Sequence, residues 1–305
     1  MARRSGARGE AEQIREEEKG QELPDKVLKW PGRELGWPNQ EAEKSDTGTY
    51  AASNASLFVK VGIVVLSIIM IIGFGIKLIP GAVTVTTLST RNSLPIHSVD
   101  CEEARVSLSF DVAWENDDIP GILDILEQHK IKATFFLTGE WAKEYPEEVK
   151  IIAAAGHDLG NHSEKHKEMT RLPKDECIRE IMNTHEEVKE LTGVDMKLFR
   201  APYGTYDNTL LTLARECGYY TIQWNIDSLD WKDYGVDSIV RTVIDNEQLE
   251  NGSIILMHSG GKYTTEALEA VITGLKDKGY ELVPVSQLIY TGEYTVDQTG
   301  RQIRK

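Results

Sequence analysis

Cysteine is scarce in this sequence, and its pattern excludes two classes of small protein. The three cysteines among 305 residues, Cys101, Cys177 and Cys217, are an odd number, lie far apart and form no Cys-x-x-Cys pair. This pattern fits neither a zinc knuckle nor a disulfide framework. We interpret the three residues as half-buried small side chains.

Positive charge is also in deficit. Lys and Arg number 34 against 49 Asp and Glu, a formal net charge of -15. A nucleic-acid surface needs clustered Lys and Arg to neutralise phosphates, so this balance argues against a nucleic-acid partner.

Two catalytic motifs are missing as well. No Gly-rich phosphate loop follows the first predicted strand, and no Gly-x-Ser-x-Gly elbow occurs, which disfavours nucleotide chemistry and a serine nucleophile.

The start of the chain is organised around one apolar run. Residues 1–56 mix charges of both signs and sustain no apolar period, which predicts a disordered tail. Residues 57–79 are predominantly apolar and carry no charge except at Lys60 and Lys77, whose long stems can reach the membrane surface. As a helix this run would span about 35 Å, enough for a bilayer core of about 30 Å. A buried core helix or a cleavable signal peptide fits less well.

We therefore predict an uncleaved, single-pass transmembrane helix over residues 57–79. Basic residues before and after the run are nearly balanced, so the positive-inside comparison barely favours either orientation. The short tail before the helix and the large domain after it favour a cytoplasmic N-terminus. The catalytic domain would then be extracytoplasmic.

Residues 104–290 read as one α/β domain, between a predicted linker at 80–103 and a predicted C-terminal tail at 291–305. Strand-like runs alternate with helix-like runs along this stretch. Such alternation predicts a parallel sheet, closed or nearly closed by crossover helices. The strands are expected at 106–110, 131–137, 198–199, 219–224, 253–257 and 281–283, and the main helices at 146–155, 174–191, 208–217, 236–246 and 264–278.

Polar side chains follow the predicted strands at the points where they end. Asp111 ends the first strand, and later strands lead to a histidine pair, an arginine, two aspartates and a histidine: His162 and His166, Arg200, Asp227 and Asp230, and His258. In parallel α/β folds the carboxyl ends of the strands meet at one edge, where active sites gather. We therefore expect these side chains to lie together.

The residue types at this edge suit hydrolysis. Two histidines four residues apart, His162 and His166, can converge on one divalent metal, although a polar surface loop would also explain the pair. A carboxylate such as Asp111 can act as a general base, and a separate histidine as a general acid. A metal-bound water would complete the hydrolysis of an amide or an ester. The residues alone do not separate these two substrates.

Five motifs in order resemble the polysaccharide deacetylases that act on chitin and peptidoglycan, of the sporulation-type subgroup. They are Ser109-Phe110-Asp111, His162-Ser163-x-x-His166, Arg200-x-Pro202-Tyr203, Asp227-x-x-Asp230-Trp231 and Leu256-x-His258. The resemblance covers nearly all of residues 104–290. It implies a distorted (β/α) barrel and the metal-dependent removal of N-acetyl groups from a glycan.

The resemblance also implies roles for single residues. The predicted metal ligands are His162, His166 and, in part, Asp111, around Zn²⁺ or alternatively Co²⁺. The predicted catalytic residues are Asp111 as general base, Arg200 holding it, His258 as general acid, and Asp230 orienting His258. The predicted substrate contacts are the Tyr203 N–H, aimed at the developing oxyanion, and the side chains of Trp231 and Leu256, walling the acetyl pocket.

One position departs from the family pattern. The family has two adjacent aspartates in the first motif, the second being a metal ligand, whereas Val112 stands at the second position here. The third ligand could be Asp111 itself or an acid of the following loop: Glu115, Asp117 or Asp118. We favour Asp111, since Asp117 or Asp118 is expected to cap the helix beginning near Ile119.

The leading hypothesis is a membrane-anchored glycan deacetylase with peptidoglycan N-acetylglucosamine as substrate and chitooligosaccharide as the alternative glycan. The departure at Val112 keeps a second hypothesis open. The domain could be a non-catalytic wall-binding or morphogenetic protein that retains the fold.

Overall fold

The computed structural model describes residues 94–114 and 117–305. The predicted tail, the predicted transmembrane helix at 57–79 and most of the predicted linker lie outside these residues. Within them, no helix is both long enough and apolar enough to cross a membrane.

A parallel sheet forms the centre of the domain. Its strands are β2 (Arg105–Val112), β3 (Thr134–Leu137), β4 (Asp158–Asn161), β5 (Leu198–Phe199), β6 (Tyr220–Thr221), β7 (Ile226–Asp227), β8 (Ile254–His258) and β9 (Glu281–Leu282). They follow the order β6-β5-β4-β3-β2-β8-β7, with β9 paired to the start of β2. The described part of the sheet has β6 and β7 at its two edges. It is an open half-barrel of parallel strands, as the predicted α/β class requires.

Crossover helices follow the strands and cover the sheet. They are α1 (Ile119–Gln128), α2 (Gly139–Glu144), α3 (Pro146–Ala154), α4 (Lys174–Thr192), α5 (Asn208–Glu216), α6 (Val236–Ile244), α7 (Thr264–Asp277) and α8 (Val285–Leu288). Local residues determine where α4 ends and where α5 begins. Gly193 ends α4 in a left-handed conformation with φ of 75°, and the Asp207 side chain caps α5 by accepting from Leu210 N.

The pleat of β2 divides its side chains between two environments. Val106, Leu108, Phe110 and Val112 belong to the main apolar cluster, together with residues from the helices. The alternate residues make polar contacts instead: Ser109 Oγ donates to Ile255 O, and Asp111 accepts from Arg200. This alternation follows from the two-residue period of a strand. It aims Asp111 away from the apolar cluster that holds Val112.

A second, three-stranded sheet lies where the sequence analysis placed a linker and a tail. Its strands are β1 (Ser98–Val99), β10 (Tyr294–Val296) and β11 (Arg301–Arg304), in the order β1-β11-β10. The predicted limits of 104 and 290 are therefore too narrow for the folded unit. These strands have two to four residues, too few for an apolar period to be recognised.

Candidate active site

Asp111 is the anionic centre of the site. It lies at the end of β2 and is 5% exposed. Its Oδ1 accepts a 2.7 Å hydrogen bond from Arg200 Nη1, and its Oδ2 lies 3.4 Å from His162 Nε2. Burial disfavours the charged carboxylate, but Arg200, His162 and His258 together outweigh burial and lower the pKa of Asp111. Asp111 is therefore ionised at neutral pH, with one oxygen held by Arg200.

Arg200 is fixed from several sides. Its Nη2 donates to Ser109 Oγ at 2.8 Å, and its Cζ lies 4.0 Å from the centroid of the Phe136 ring. The side chain is fully buried. Gly160 makes room for this stack, because a Cβ at that position would overlap the Phe136 ring. The contact between Arg200 and Asp111 is thus rigid and shielded from water.

A short loop after β4 carries His162 and His166. Asn161 Oδ1 accepts from Ser163 N, and Ser163 Oγ accepts from His166 N. Ser163 and His166 have left-handed backbones with φ of 67° and 51°. These side-chain hydrogen bonds hold a conformation that residues other than glycine seldom adopt.

A buried polar network supports that loop from behind. Asn161 Nδ2 donates to Tyr219 Oη at 3.1 Å and to Ile181 O at 2.7 Å. Tyr219 Oη in turn lies 2.6 Å from His185 Nδ1. His185, on α4, is thereby joined to the residues that position the histidine loop.

The two loop histidines are neutral at pH 7. His162 Nδ1 lies 2.8 Å from Arg200 O, and because a carbonyl only accepts, Nδ1 carries the proton and donates. The lone pair of Nε2 therefore faces Asp111. Burial lowers the pKa of His162. Burial, followed by repulsion from the protonated form of His162, lowers the pKa of His166 to about 4.

Asp230 and His258 form the second ionisable pair. Asp230 is fully buried, and its Oδ1 lies 2.8 Å from His258 Nδ1. Its Oδ2 accepts from His258 N and from Thr264 Oγ1, both at 2.8 Å. Burial disfavours the imidazolium, but the hydrogen bond to Asp230 and the charge of Asp111 outweigh burial and raise the pKa of His258. With Nδ1 committed to Asp230, Nε2 is the nitrogen free to donate a proton.

One cavity collects the predicted residues. The register of β2 and β8 pairs Asp111 with His258, so the acid and base candidates come from adjacent strand ends. The cavity has a volume of about 470 Å³ and is lined by Asp111, Trp114, His162, His166, Tyr203, Gly204, Trp224, Asp227, Trp231, Leu256 and His258. Arg200 and Asp230 are buried behind this lining. All predicted site residues therefore lie in or directly behind one cavity.

The sequence analysis missed three lining residues, Trp114, Gly204 and Trp224, and it named Asp227 only as a residue at a strand end. Trp114 lies on the loop after β2, with its ring centroid 5.4 Å from that of His166 and 6.2 Å from that of His258. Trp224 follows β6, and Asp227 ends β7 without having been assigned a role. A rule that gave weight to every aromatic within three residues of a strand end would have selected both tryptophans.

The donor set does not complete a zinc site. Asp111 Oδ2 and His162 Nε2 are 3.4 Å apart, close to the separation of two ligands on one tetrahedral zinc with bonds of about 2.0–2.1 Å. A catalytic zinc site uses three protein ligands. His166 meets the His162 ring edge to face, and residues 94–114 and 117–305 contain no group of three His, Cys, Asp or Glu side chains able to hold a metal ion. The predicted set of His162, His166 and Asp111 is therefore not supported.

The loop acids do not fill the gap within the described residues. Asp117 is exposed, and Asp118 Oδ2 accepts from Gly260 N at 2.7 Å. Asp118 occupies the N-cap position of α1, but its side chain makes no capping hydrogen bond, so the predicted side-chain cap is not formed by this residue. Its carboxylate instead ties the loop after β8 to α1. Glu115 lies outside the described residues.

Comparison with known proteins agrees with this fold. The family model for polysaccharide deacetylase matches residues 98–222. The chain is 38% identical to a peptidoglycan-N-acetylglucosamine deacetylase of Bacillus cereus, over 63% of this chain and 70% of that protein. It is 35% identical to the uncharacterized protein YlxY of Bacillus subtilis, over 64% of this chain but only 60% of YlxY.

One of the similar solved structures is that of a pseudoenzyme, in contrast to the deacetylase named above. BA3943 of Bacillus anthracis, a CE4 family pseudoenzyme, is 35% identical with a TM-score of 0.61, over 64% of this chain and 68% of that one. A mutant of BA3943 has restored enzymatic activity. Similarity alone therefore does not decide whether a given member is active. Together with the fold and the five motifs, these matches show that the chain belongs to the polysaccharide deacetylase family.

Proposed function

We propose that this protein removes N-acetyl groups from a cell-wall glycan, with peptidoglycan N-acetylglucosamine as the substrate. The observation that carries the proposal is the pair formed by Asp111 and His258. An ionised carboxylate with a free oxygen and a histidine of raised pKa lie side by side at one cavity, through the register of β2 and β8. Opposed pKa shifts of this kind are what general acid–base catalysis needs.

The reaction assigns one proton transfer to each member of the pair. Asp111 Oδ2 takes a proton from water, and the water oxygen adds to the acetyl carbonyl carbon. His258 Nε2 then gives a proton to the amide nitrogen as the carbon–nitrogen bond breaks. The products are acetate and a free amine. Asp230 holds the imidazole orientation, and the Tyr203 N–H is the proposed donor to the developing oxyanion.

The charges around the cavity favour a neutral sugar at the reacting position. Asp111 and Asp227 contribute carboxylates to the lining, and the described lining residues include no Lys or Arg. Arg200 behind the wall is already paired with Asp111. The lactyl carboxylate of N-acetylmuramic acid would lie near these two carboxylates with no Lys or Arg side chain in the described lining to pair with it. N-acetylglucosamine has no such group.

Acetate release from defined glycans tests the proposal. The full-length chain is incubated with N-acetylated peptidoglycan and with chitooligosaccharides, and bound metal is quantified in the same preparation. We expect acetate from wild type and a decrease of about 10²- to 10⁴-fold in His258→Ala, the usual worth of general acid–base catalysis. Ile151→Ala, on the outer helix α3, is the matched control and should retain activity. No acetate from any of these glycans would overturn the proposal.

A second candidate function is glycan binding without hydrolysis. It is favoured by the buried Val112 at the position of a family ligand, and by the missing third ligand among the described residues. The similarity to a pseudoenzyme points the same way. Saturable glycan binding without acetate release would select this function.

We also propose a location. The apolar run at 57–79 anchors the chain, and the domain lies on the extracytoplasmic side; this rests on the sequence pattern. Protease added to intact cells should remove the domain and leave the segment before residue 57 protected. Recovery of the full chain in the soluble fraction would contradict the anchor.

A further inference from the structure

The Trp224 ring touches two parts of the active site. Its centroid lies 5.5 Å from Arg200 Cζ, within the range of a cation–π contact with the guanidinium that holds the proposed base. The ring also lies against Gly204, because a Cβ built at Gly204 would stand 2.9 Å from Trp224 Cη2. Gly204 directly follows Tyr203, whose N–H is the proposed oxyanion donor. The position of this one ring therefore affects both the base and the oxyanion donor.

The backbone that carries this ring is held by the segment before β1. Gln223 and Trp224 follow β6, and Gln223 N donates to Ile96 O at 2.7 Å. His97 Nδ1 lies 3.0 Å from Trp224 O, and because a carbonyl only accepts, Nδ1 carries the proton and donates. Gln223 O accepts in turn from Arg200 Nη2 at 3.3 Å. The side chain of His97 therefore fixes the backbone from which the Trp224 ring projects.

The three-stranded sheet holds His97 in turn. His97 N donates to Gly300 O at 2.8 Å, in the turn between β10 and β11. Gly300 has a left-handed backbone with φ of 84°, and a Cβ there would overlap His97 Cδ2. The Tyr206 ring meets the His97 ring edge to face, with centroids 6.2 Å apart. The second sheet therefore fixes both the backbone and the ring of His97.

We propose that His97 is a positioning residue of the active site, whose Nδ1–H holds the Trp224 ring against Arg200 and Gly204 by donating to Trp224 O. His97 acts through Trp224 and does not itself line the cavity. Without the donor, the carbonyl loses a hydrogen bond and the backbone after β6 loses a fixed point. The inference rests on the proposed function, because the contacts of the ring affect turnover only if Arg200 and Tyr203 serve the hydrolysis.

Two variants of similar size test the role of the donor. His97→Leu removes the N–H, whereas His97→Asn keeps an amide N–H near the position of Nδ1. The full-length proteins are assayed for acetate release from a chitooligosaccharide of fixed length, and kcat is normalised to the folded fraction obtained by urea unfolding. We expect kcat to fall by about 10- to 100-fold in His97→Leu, the usual effect of a small misplacement of catalytic groups. KM should stay within about threefold, because the lost contacts serve the transition state. His97→Asn should stay within about threefold of wild type in both.

Two further variants separate positioning from a general loss of structure. His129→Leu removes another half-buried, hydrogen-bonded histidine, at the end of α1, and should keep the wild-type kcat. Trp224→Phe keeps the backbone carbonyl but shortens the ring, so it should lower kcat as His97→Leu does. If His97→Leu does not fold, Trp224→Phe decides, and a wild-type kcat there overturns the inference. A wild-type kcat per folded molecule in His97→Leu also overturns it, as does a loss that His97→Asn fails to restore.

A spectroscopic measurement lets the inference and the proposed function fail separately. The chain has six tryptophans, and the indole N–H signal of Trp224 in the NMR spectrum is identified by its absence in Trp224→Phe. This signal should shift in His97→Leu and keep its wild-type position in His97→Asn and His129→Leu. The expected shift without acetate from wild type would refute hydrolysis and uphold the hold of His97 on the ring. Acetate from wild type with an unmoved signal in His97→Leu would overturn the inference and leave hydrolysis standing.

Discussion

Replacing Asp230 by Asn removes one buried charge and keeps the shape of the side chain. The amide oxygen of Asn can still accept from His258 N and Thr264 Oγ1, which both bond Asp230 Oδ2 at 2.8 Å. What is lost is the charge beside His258 Nδ1. A hydrogen bond to a charged group is worth about 1.5–3 kcal/mol, which corresponds to roughly one to two pKa units. We therefore expect the pKa of His258 to fall by about one to two units in Asp230→Asn.

NMR titration of the histidine ring protons measures this shift without depending on turnover. The chain has seven histidines, and the His258 signal is identified by its absence in His258→Ala. Asp227→Asn is the matched control. Asp227 also raises the pKa of His258, but it contributes less than Asp230 or Asp111, so its removal should give a smaller decrease. An unchanged His258 pKa in Asp230→Asn would refute the assigned pairing.

The same pair predicts how stability depends on pH. The folded-state pKa of His258 is raised above its unfolded value of about 6.5. Its contribution to stability is therefore fully present below about pH 6.5 and is lost as the pH rises through the folded pKa. Asp230→Asn should thus destabilise the protein more at pH 6 than at pH 9, as measured by urea unfolding. A larger difference at pH 9 would contradict the sign.

Three further predictions concern the support of the site. Gly160→Ala should destabilise the protein by about 1–3 kcal/mol, because its Cβ overlaps the Phe136 ring, whereas Gly292→Ala, with open space around it, should be neutral in the same denaturation assay. Burial lowers the pKa of His157 to about 4, so its stabilising contribution is lost as the pH falls from 6.5 to 4. Between pH 6.5 and pH 4, His157→Gln should therefore lose about 1–2 kcal/mol less stability than wild type, after allowing for solvent screening. Tyr219→Phe should cost about 1–2 kcal/mol in stability by leaving a buried partner unsatisfied, and should broaden the NMR signals of the histidine loop.

The sequence predicted the site residues at the strand ends better than it predicted the structure around the site. Asp111, Arg200 and His258 could be placed because each ends an apolar run, and parallel strands bring such ends to one edge. The three-stranded sheet could not be predicted in this way. Its β1 pairs with β11, and Ser98 meets Arg301 across about two hundred residues of chain. Short strands joined over such distances leave no local pattern in the sequence.

Trp114 shows a second limit of sequence reasoning. Nothing in its neighbours distinguishes a ring that lines a cavity from one that packs in a core, because the distinction depends on where β2 ends relative to His166 and His258. The prediction of metal ligands has a related limit. Two histidines four residues apart suggest a shared ion, but the left-handed backbone at His166 and the edge-to-face contact with His162 are properties of the folded loop.

Val112 shows how narrowly the two candidate functions differ. The pleat of β2 sends Val112 into the same apolar cluster as Phe110, where it is fully buried, while Asp111 faces the cavity. In the family this position supplies an oxygen ligand to the metal. In this chain it contributes to core packing instead. The rest of the site does not depend on that ligand: Arg200 still holds Asp111, Asp230 still raises the pKa of His258, and the aromatic rings still surround the cavity. Glycan binding therefore needs only what the described residues contain, whereas hydrolysis also requires that Asp111 and His258 suffice to activate water. Acetate release and oligosaccharide affinity measure these two capacities independently, so both assays are needed on the same protein.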